Sequence, residues 1–555
     1  MKNKIVLDTY MQPVITSPFS SIRELMETAQ KMVGERIAYQ YPLKDGAIRS
    51  VSYHEFYRDC LALGTALTNR GFGNSHIAAL GENSYPWITA YLSVMMTAGV
   101  YVPLDRELPA DNLLSLLNRS ESRVLFYAGN FEPMLRENRA ALPNIELFIG
   151  FDREESEGEF LSYRQLLQEG QSGNSDAFLS CRNQPEDTKL LVFTSGTTGV
   201  AKGVMLTEHN LVSSVYYGLQ ISQIHGVGLS VLPYHHTYEA VCDILVSIRC
   251  GNTLFINDNL RKVVANMQIC HPDYICLVPM FSEVFYNNIW KNIRKQKKEK
   301  IFSFLIRLSN GLRKIGIDLR YVFFKKIHET FGGHLRKIVC GGAPIRQDIG
   351  EFFDAIGMPL FGGYGITECS PLVSVNTENS LRYDTAGHHL PCLEWKIDNP
   401  SEDGIGEICV RGDVVMKGYY KDPVKTAEVL TADGWFHTGD YGCLTEDDQI
   451  RITGRKKNII VLKNGKNIYP EEIESYVNQV PYIVESVVRG IKNEYGEEEA
   501  LLAEVYLSEP KEENRVLADI RAALHELPAY KNIAKVKIRD REFEKTTTKK
   551  IRRGA

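Results

Sequence analysis

Two periods of apolar residues alternate along most of the chain. Short, nearly continuous apolar runs at Ile77–Leu80, Tyr101–Pro103 and Val124–Tyr127 have the length and side-chain type of buried strands. Between them lie stretches whose apolar residues recur at helical spacing, Tyr53–Arg70, Trp87–Ala98 and Ala110–Asn118. Strands alternating with helices predict parallel sheets built of βαβ units. An irregular arm over residues 1–35 enters a helix near Ser21–Met32. Residues 151–188 interrupt the pattern with Glu154, Glu155, Glu157, Glu159 and the run Gly170–Asp176, which predicts a surface connection. Leu190–Phe193 restores it as a strand, and Thr207 is placed to N-cap a helix through Asn210–Leu219.

Further on, Ile338–Pro344 and Leu360–Glu368 each read as a strand ending in a Gly-rich turn. Gly406–Gly412 and Gly418–Tyr420 read as β-hairpins. Past Arg455 the texture changes to Lys463–Glu474, a strand, a helix over 513–526 and a basic tail. That change sets an expected boundary at Lys456–Asn458, giving domains 1–456 and 457–555.

Asn83–Leu104 carries no charge over a bilayer-sized length. It also contains Asn83, Pro86, Thr89, Thr97 and Gly99, and Pro near a helix start with Gly past its end fits a buried helix–strand unit better. A second stretch changes the picture of the surface. Lys291–Lys326 holds twelve Lys/Arg against Glu299 and Asp318, with Ile301, Phe302, Phe304, Leu305, Leu308, Leu312 and Ile315 interleaved. It fits either a helical hairpin whose apolar stripe packs on its own domain or a peripheral contact with an anionic membrane.

Composition adds bounds. Among 555 residues, 44% are hydrophobic and 24% charged, as in a globular chain able to bury a large core. A net charge of −5 gives no global affinity for nucleic acid. Eleven scattered cysteines without a CxxC pair, and no apolar N-terminal segment, point to reduced thiols and a cytoplasmic, or membrane-associated, location.

The candidate chemistry centres on Leu190–Gly203. After the strand, Gly196, Gly199 and Gly203 allow tight turns and close approach, Thr194, Ser195, Thr197 and Thr198 supply hydroxyls, and Lys202 supplies a positive charge. This suits a polyphosphate, although a Walker A loop is excluded because Ala201 precedes Lys202 and Gly203 follows it. Gly341–Ala343 and Tyr364 leave a planar slot suited to an adenine. Glu368 is the natural Mg²⁺ ligand beside phosphates. His235 and His236 have no third ligand at helical spacing, which favours a structural or pocket-lining use over zinc. Asp440 can accept both ribose hydroxyls and Arg455 can donate to ribose or phosphate, or the two can be turn residues in a surface ion pair. Cys369 has no basic neighbour in sequence and reads as structural.

Thr194–Gly203, Gly341–Pro344, Tyr364–Glu368, Gly434–Asp440 and Lys545–Arg553 together resemble, in order and spacing, the signatures of the adenylate-forming superfamily. The match is most similar to long-chain fatty acyl-CoA synthetases and covers nearly the whole chain. It departs at Ala201 for Pro, Glu544 for Pro and Lys549 for Gly. The resemblance implies an α/β fold: a large N-terminal domain of parallel βαβ sheets and a small, mobile α+β C-terminal domain hinged near Lys457. It implies ATP, Mg²⁺ and coenzyme A as cofactor and co-substrates, and a fatty acid activated to acyl-AMP before transfer to the thiol. An acyl carrier protein stays open as acceptor.

Residue by residue, the resemblance implies Lys550 as the catalytic amine, selected over Lys549 by the Thr546-x-Thr548-x-Lys550 spacing. It places His236 beside the substrate carboxylate, Thr194 and Glu368 on the metal, and Thr367 with Glu368 in catalysis. Ser195, Gly196, Thr197, Thr198, Gly199, Lys202, Gly341, Gly342, Ala343, Tyr364, Gly365, Asp440, Arg455, Lys457 and Gly465 complete the nucleotide and thiol contacts. Tyr234-His235-His236 offers no Asp for an α-ammonium, which disfavours an amino acid, and Gly362-Gly363 leaves room for a chain. A non-catalytic nucleotide-binding regulator would be expected to lack Lys550 or Glu368, and both are present.

Overall fold

The computed structural model describes residues 19–194, 201–463, 466–545 and 551–553. The chain divides into two compact units: residues 1–383, 387–393 and 411–434, and residues 384–386, 394–410 and 435–555.

Among the described residues, the larger unit holds two sheets, of eight and nine strands. In the first, Thr188–Thr194, Val100–Leu104, His76–Leu80, Val124–Tyr127, Leu147–Gly150 and Phe160–Ser162 lie side by side and parallel. Lys202–Thr207 and Gly418–Tyr419 extend its other edge antiparallel. In the second, Leu360–Gly365, Lys337–Gly341, Tyr274–Leu277, Val227–Ser230, Thr253–Ile256 and Ile37–Pro42 run parallel in that order. Antiparallel strands close both of its edges. The strands are apolar on both faces because helices cover both. One core gathers around Leu80, Val102, Leu125, Phe148 and Leu191, another around Leu229, Phe255, Ile275, Ile338 and Leu360.

Most expected elements are present. Helix Tyr85–Met95 begins where the Ser84 hydroxyl accepts from the Trp87 amide, and strand Val100–Leu104 follows, so the uncharged span is an internal helix–strand unit. Helix Glu208–Ile221 starts in a capping box, with Thr207 and Asn210 each bonding the other's backbone amide. No described helix is long and apolar enough to cross a membrane.

Two expectations are corrected. The polar stretch 151–188 contributes strand Phe160–Ser162 and helix Tyr163–Ser172, and its Phe178 ring packs so closely on Gly64 that a Cβ there would meet it at 2.2 Å. Sparse apolar residues carried the packing while the many carboxylates masked them. Gly418–Tyr419 forms no hairpin of its own; it adds to Lys202–Thr207, with Gly418 opposite Met205 and Tyr419 opposite Val204. A sequence window cannot see a strand partner so far along the chain.

The basic stretch forms helices Pro279–Lys295 and Glu299–Arg313. Phe302 is buried in the second core and Leu305 and Ile306 pack on it, while Ile301, Phe304 and Leu308 of the same helix stay exposed. The inward stripe is therefore domain packing, and an outward apolar row remains.

In the smaller unit an antiparallel sheet places Leu393–Asp398, Gly406–Gly412, Phe436–Leu444 and Ile450–Arg455 in that order. A further sheet of Ile483–Lys492, Glu498–Leu507 and Lys535–Arg539 packs with helices Pro470–Val477 and Glu513–Ala523 around Ile473, Val488, Val505 and Ile520. The ladder from Phe436–Leu444 to Ile450–Arg455 groups residues 435–456 with the C-terminal stretch, ahead of the change of texture at 456–458.

Candidate active site

In open parallel sheets ligands bind beyond the carboxyl ends of strands where chain direction diverges. The second sheet diverges between Val227–Ser230, which leads to its neighbour Thr253–Ile256, and Tyr274–Leu277, which leads away to Lys337–Gly341. Past the first of these strands come Tyr234, His235 and His236. The first sheet diverges in the same way between His76–Leu80 and Val124–Tyr127, and Asn83 follows the former. The Asn83 amide joins the two ends: its Nδ2 donates to the Leu232 carbonyl at 2.7 Å, and its Oδ1 accepts from the Tyr234 amide at 3.1 Å. The loop that presents the histidines is thus clamped from the other sheet.

The His235 and His236 rings lie 4.1 Å apart between centroids. Burial, with Arg106 nearby, pushes His235 down to about 3, so it is a neutral ring, 3.7 Å from Asp105. His236 starts the short turn Thr237–Glu239 and is half-buried. Tyr238 follows, its hydroxyl donating to the Val339 carbonyl at 3.1 Å. A Cβ on Gly341 would stand 3.3 Å from the Tyr238 ring, and Gly342 takes φ +86°, where L side chains are strained. A side chain at Gly341 would therefore press on the Tyr238 ring, and Gly342 is required by the turn at the end of Lys337–Gly341. Leu360–Gly365 lies beside it, pairing Gly363 with Gly341 and carrying the buried Tyr364 ring. Gly341, Gly342 and Ala343 thus lie at the end of one strand, and Tyr364 and Gly365 at the end of the strand beside it.

The phosphate-type loop is held at its base by a registered pair, Thr194 opposite Lys202. Ser195, Gly196, Thr197, Thr198 and Gly199 lie outside the described residues, as do Gly465 and Lys550. Lys202 Nζ lies 4.7 Å from the Tyr419 ring centroid, and the Tyr419 hydroxyl donates to Glu368 Oε1 at 2.9 Å. Burial, with Glu368 beside it, pushes the Tyr419 phenol up, so it remains a donor. A continuous chain of contacts therefore links Thr194, Lys202, Tyr419 and Glu368. Thr367 and Glu368 sit in the single turn Thr367–Cys369, which begins just beyond Leu360–Gly365. Glu368 is half-buried and Cys369 is buried. No disulfide joins any of the eleven cysteines.

In the smaller unit Asp440 and Arg455 face each other across adjacent strands, with Arg455 Nε 2.9 Å from Asp440 Oδ1. Asp440 is buried while Arg455 is half-exposed, so the guanidinium is positioned by the carboxylate. Lys457 follows on the turn Lys456–Asn458, pushed down by burial and by Arg455 and Arg553. The tail is fastened on both sides of its undescribed stretch. Lys545 pairs with Glu485 and Glu542, Lys545 and Ile551 form an antiparallel bridge, and Arg553 pairs with Glu474.

Tyr419 and Asn83 went unrecognised in the sequence. Asn83 had a usable signal, a polar residue just past a parallel strand; Tyr419 had none, because only the distant strand pairing makes it a neighbour of Glu368.

A family model described as AMP-binding enzyme matches residues 26–420. Long-chain-fatty-acid–CoA ligase 5 of Rattus norvegicus is 28% identical over 512 residues, covering 85% of this chain and 74% of the relative. The chloroplastic long-chain-fatty-acid–acyl-carrier-protein ligase AEE15 of Arabidopsis thaliana is 27% identical over 551 residues, covering 86% and 75%. Among solved structures, ATP-bound MatB from Rhodopseudomonas palustris superposes with a TM-score of 0.75 at 22% identity, covering 96% of this chain and 97% of that one.

Proposed function

Because the chain belongs to the AMP-binding enzyme family, we propose that it is an AMP-forming ligase joining a long-chain fatty acid to a thiol, coenzyme A in the first instance. In the first step a carboxylate oxygen attacks the α-phosphorus of ATP, the bond to pyrophosphate breaks, and acyl-AMP forms. In the second the thiol sulfur attacks the acyl carbon and AMP leaves. Such transfers are catalysed by positioning and charge compensation.

The observation that carries this reading is the chain from Lys202 through Tyr419 to Glu368 at the base of the glycine–hydroxyl loop. Lys202 and the hydroxyls of Ser195, Thr197 and Thr198 hold the leaving phosphates. Glu368, oriented by a neutral phenol, and Thr194 offer the hard oxygen donors that Mg²⁺ takes, and the ion, when bound, offsets phosphate charge. Gly341–Ala343, Tyr364 and Gly365 receive the adenine, Asp440 the ribose hydroxyls, and Arg455 the ribose or a phosphate. His236 lines the carboxylate subsite, with Thr367 adjoining. Lys550 bridges carboxylate and α-phosphate, and Lys457 and the Gly465 loop serve the hinge and the thiol's path.

The fatty acid is favoured by the absence of an acidic residue in Tyr234–His236. The carrier-protein ligase among the relatives keeps a protein-bound thiol as the alternative acceptor. The test is pyrophosphate release over a panel of carboxylic acids with coenzyme A present and absent. Acid-dependent release of pyrophosphate and AMP is expected with dodecanoate or longer acids; ADP as product, or no dependence on acid, refutes the assignment.

The outward row of Ile301, Phe304, Leu308 and Ile315, exposed at 60%, 61%, 39% and 71%, is flanked by exposed Lys297, Lys298, Lys300, Arg307 and Lys314. This pairing of apolar side chains and cations fits an anionic bilayer surface, where the acid substrate dissolves. Co-sedimentation with phosphatidylserine vesicles, lost in Phe304→Glu and at high salt, checks it; equal binding to neutral vesicles counts against it.

A further inference from the structure

One face of the antiparallel sheet in the smaller unit collects three chemically different metal-binding side chains that the ligase reading does not use. Period-two alternation sets them there: in Gly406–Gly412, Ile408 and Val410 turn one way, Glu407 and Cys409 the other. Asp398 ends the neighbouring strand on one side, and His437 lies on the neighbour on the other. Cys409 and His437 are direct cross-strand partners, with Sγ 3.3 Å from Nδ1. The donor atoms of Asp398, Cys409 and His437 all fall within 4.8 Å of one another.

We propose that Asp398, Cys409 and His437 form a zinc(II) site. Sulfur, imidazole nitrogen and carboxylate oxygen are the donors zinc takes, and Mg²⁺, which prefers all-oxygen sites, does not compete for a thiolate. Bond lengths of about 2.3 Å to sulfur and about 2.05 Å to nitrogen place those two atoms about 3.5 Å apart around a tetrahedral ion. The observed 3.3 Å is already close to that spacing. Asp398 lies within 4.8 Å of both atoms; its carboxylate is half-buried and accepts from the adjoining Asn399 amide at 2.8 Å. Glu407 stands 3.3 Å from the same Nδ1, held by Lys456 at 2.7 Å and by the Gly439 amide at 3.1 Å, and can complete four-fold coordination.

The charge balance agrees. Burial, with Glu407 and Asp398 nearby, pushes the Cys409 thiol up to about 12, against Lys396 and Lys456, so without a cation it keeps its proton. Zinc binding breaks the S–H bond, forms Zn–S and releases the proton to solvent. It also requires the imidazole proton on Nε2, leaving the Nδ1 lone pair for the metal. Lys396 is drawn aside over the Trp435 ring at 4.6 Å, and Lys456 onto Glu407. His437 and Asp440 share strand Phe436–Leu444, so an ion here would also brace the strand that presents the proposed ribose acceptor.

The test uses the full chain, stripped of metal with chelator and titrated with Co²⁺ as a coloured stand-in for zinc. One equivalent should produce a thiolate-to-cobalt absorption in the near ultraviolet with the visible bands of four-coordinate Co²⁺, and Zn²⁺ should abolish both. Cys409→Ser should remove the ultraviolet band, and Asp398→Asn and His437→Gln should each weaken Zn²⁺ binding by about tenfold or more in equilibrium dialysis. Should Cys409→Ser not fold, the two half-exposed positions still decide the question. A wild-type protein with no thiolate band at one equivalent overturns the site. So does a band that persists in Cys409→Ser, or Zn²⁺ binding unchanged in both Asp398→Asn and His437→Gln.

Discussion

Tyr419→Phe isolates one atom of the proposed phosphate machinery. The phenylalanine ring still lies beneath Lys202, whose Nζ is 4.7 Å from the ring centroid, so the cation–π contact survives. What is lost is the O–H that donates to Glu368 Oε1 at 2.9 Å. A hydrogen bond to a charged group contributes about 1.5–3 kcal/mol. Glu368 is half-buried, so water can reach it and replace part of that, which favours the lower end. At about 1.4 kcal/mol per factor of ten, adenylation should slow by about tenfold. Because the lost group orients a carboxylate assigned to the metal, the apparent Mg²⁺ requirement should rise with it, whereas the dependence on fatty acid should not. The assay is initial pyrophosphate release against Mg²⁺ at saturating ATP and acid, with thermal unfolding as a control for fold. A rate and Mg²⁺ dependence within twofold of wild type would refute the role given to Tyr419. Slowing without any change in the Mg²⁺ curve would detach Glu368 from the metal.

Asp440→Ala should raise the apparent Michaelis constant for ATP far more than it lowers turnover, because a ribose contact persists from ground state to transition state; steady-state kinetics over ATP concentration decide. His235, neutral in the fold with its pKa pushed down to about 3, protonates first in the unfolded chain, near pH 6.5. Its contribution to stability is therefore complete above that value and declines as pH falls toward about 3, by about 2 kcal/mol at pH 5. Denaturant unfolding of wild type and His235→Gln at pH 7 and pH 5 should show a smaller loss in the variant; equal losses would disprove the effect. Lys550→Ala should cost about 10²–10³ in adenylation while the variant still transfers preformed acyl-AMP to the thiol, and Lys549→Ala should be mild in both half-reactions. The reverse result would move the tail's register by one.

How much of this was legible in the sequence depends on the range of the interaction. Helices and parallel strands followed from periodicity because burial on both faces leaves a local imprint, as at Ile77–Leu80 and Val124–Tyr127. The candidate nucleotide contacts were legible because glycines, hydroxyls and one lysine within a short loop are a local chemical signature. Phe160 and Phe178 were hidden because a few rings can fix a segment that is otherwise carboxylate-rich. Tyr419 and the Cys409–His437 pair were hidden for another reason. Each is ordinary in its own window and acquires chemistry only through a strand partner, Val204 for Tyr419 and the cross-strand register itself for the pair. The outward row of the basic helix was half legible: its composition was plain, but which apolar residues faced the core required the packing of Phe302, Leu305 and Ile306.

Two of the three departures from the superfamily pattern, Ala201 and Glu544, sit where this chain supplies another hold, and the third, Lys549, lies outside the described residues. A proline before Lys202 would stiffen the exit of the phosphate loop; here the Ala201 carbonyl accepts from the Arg119 guanidinium at 2.7 Å. In the tail, where Glu544 and Lys549 replace proline and glycine, the Glu544 carbonyl accepts from the Arg552 amide at 2.7 Å. Lys545 and Arg553 secure the two flanks on Glu485 and Glu474, carboxylates that are themselves buried. At Ala201 and Glu544 the restriction of a proline has thus been exchanged for polar contacts, and the two places differ in the kind of contact that holds them. Arg119 donates to a neutral carbonyl, so salt screening, which acts between charges, has little effect on that hold; the tail's holds are ion pairs, and burial of their carboxylates limits the screening of those.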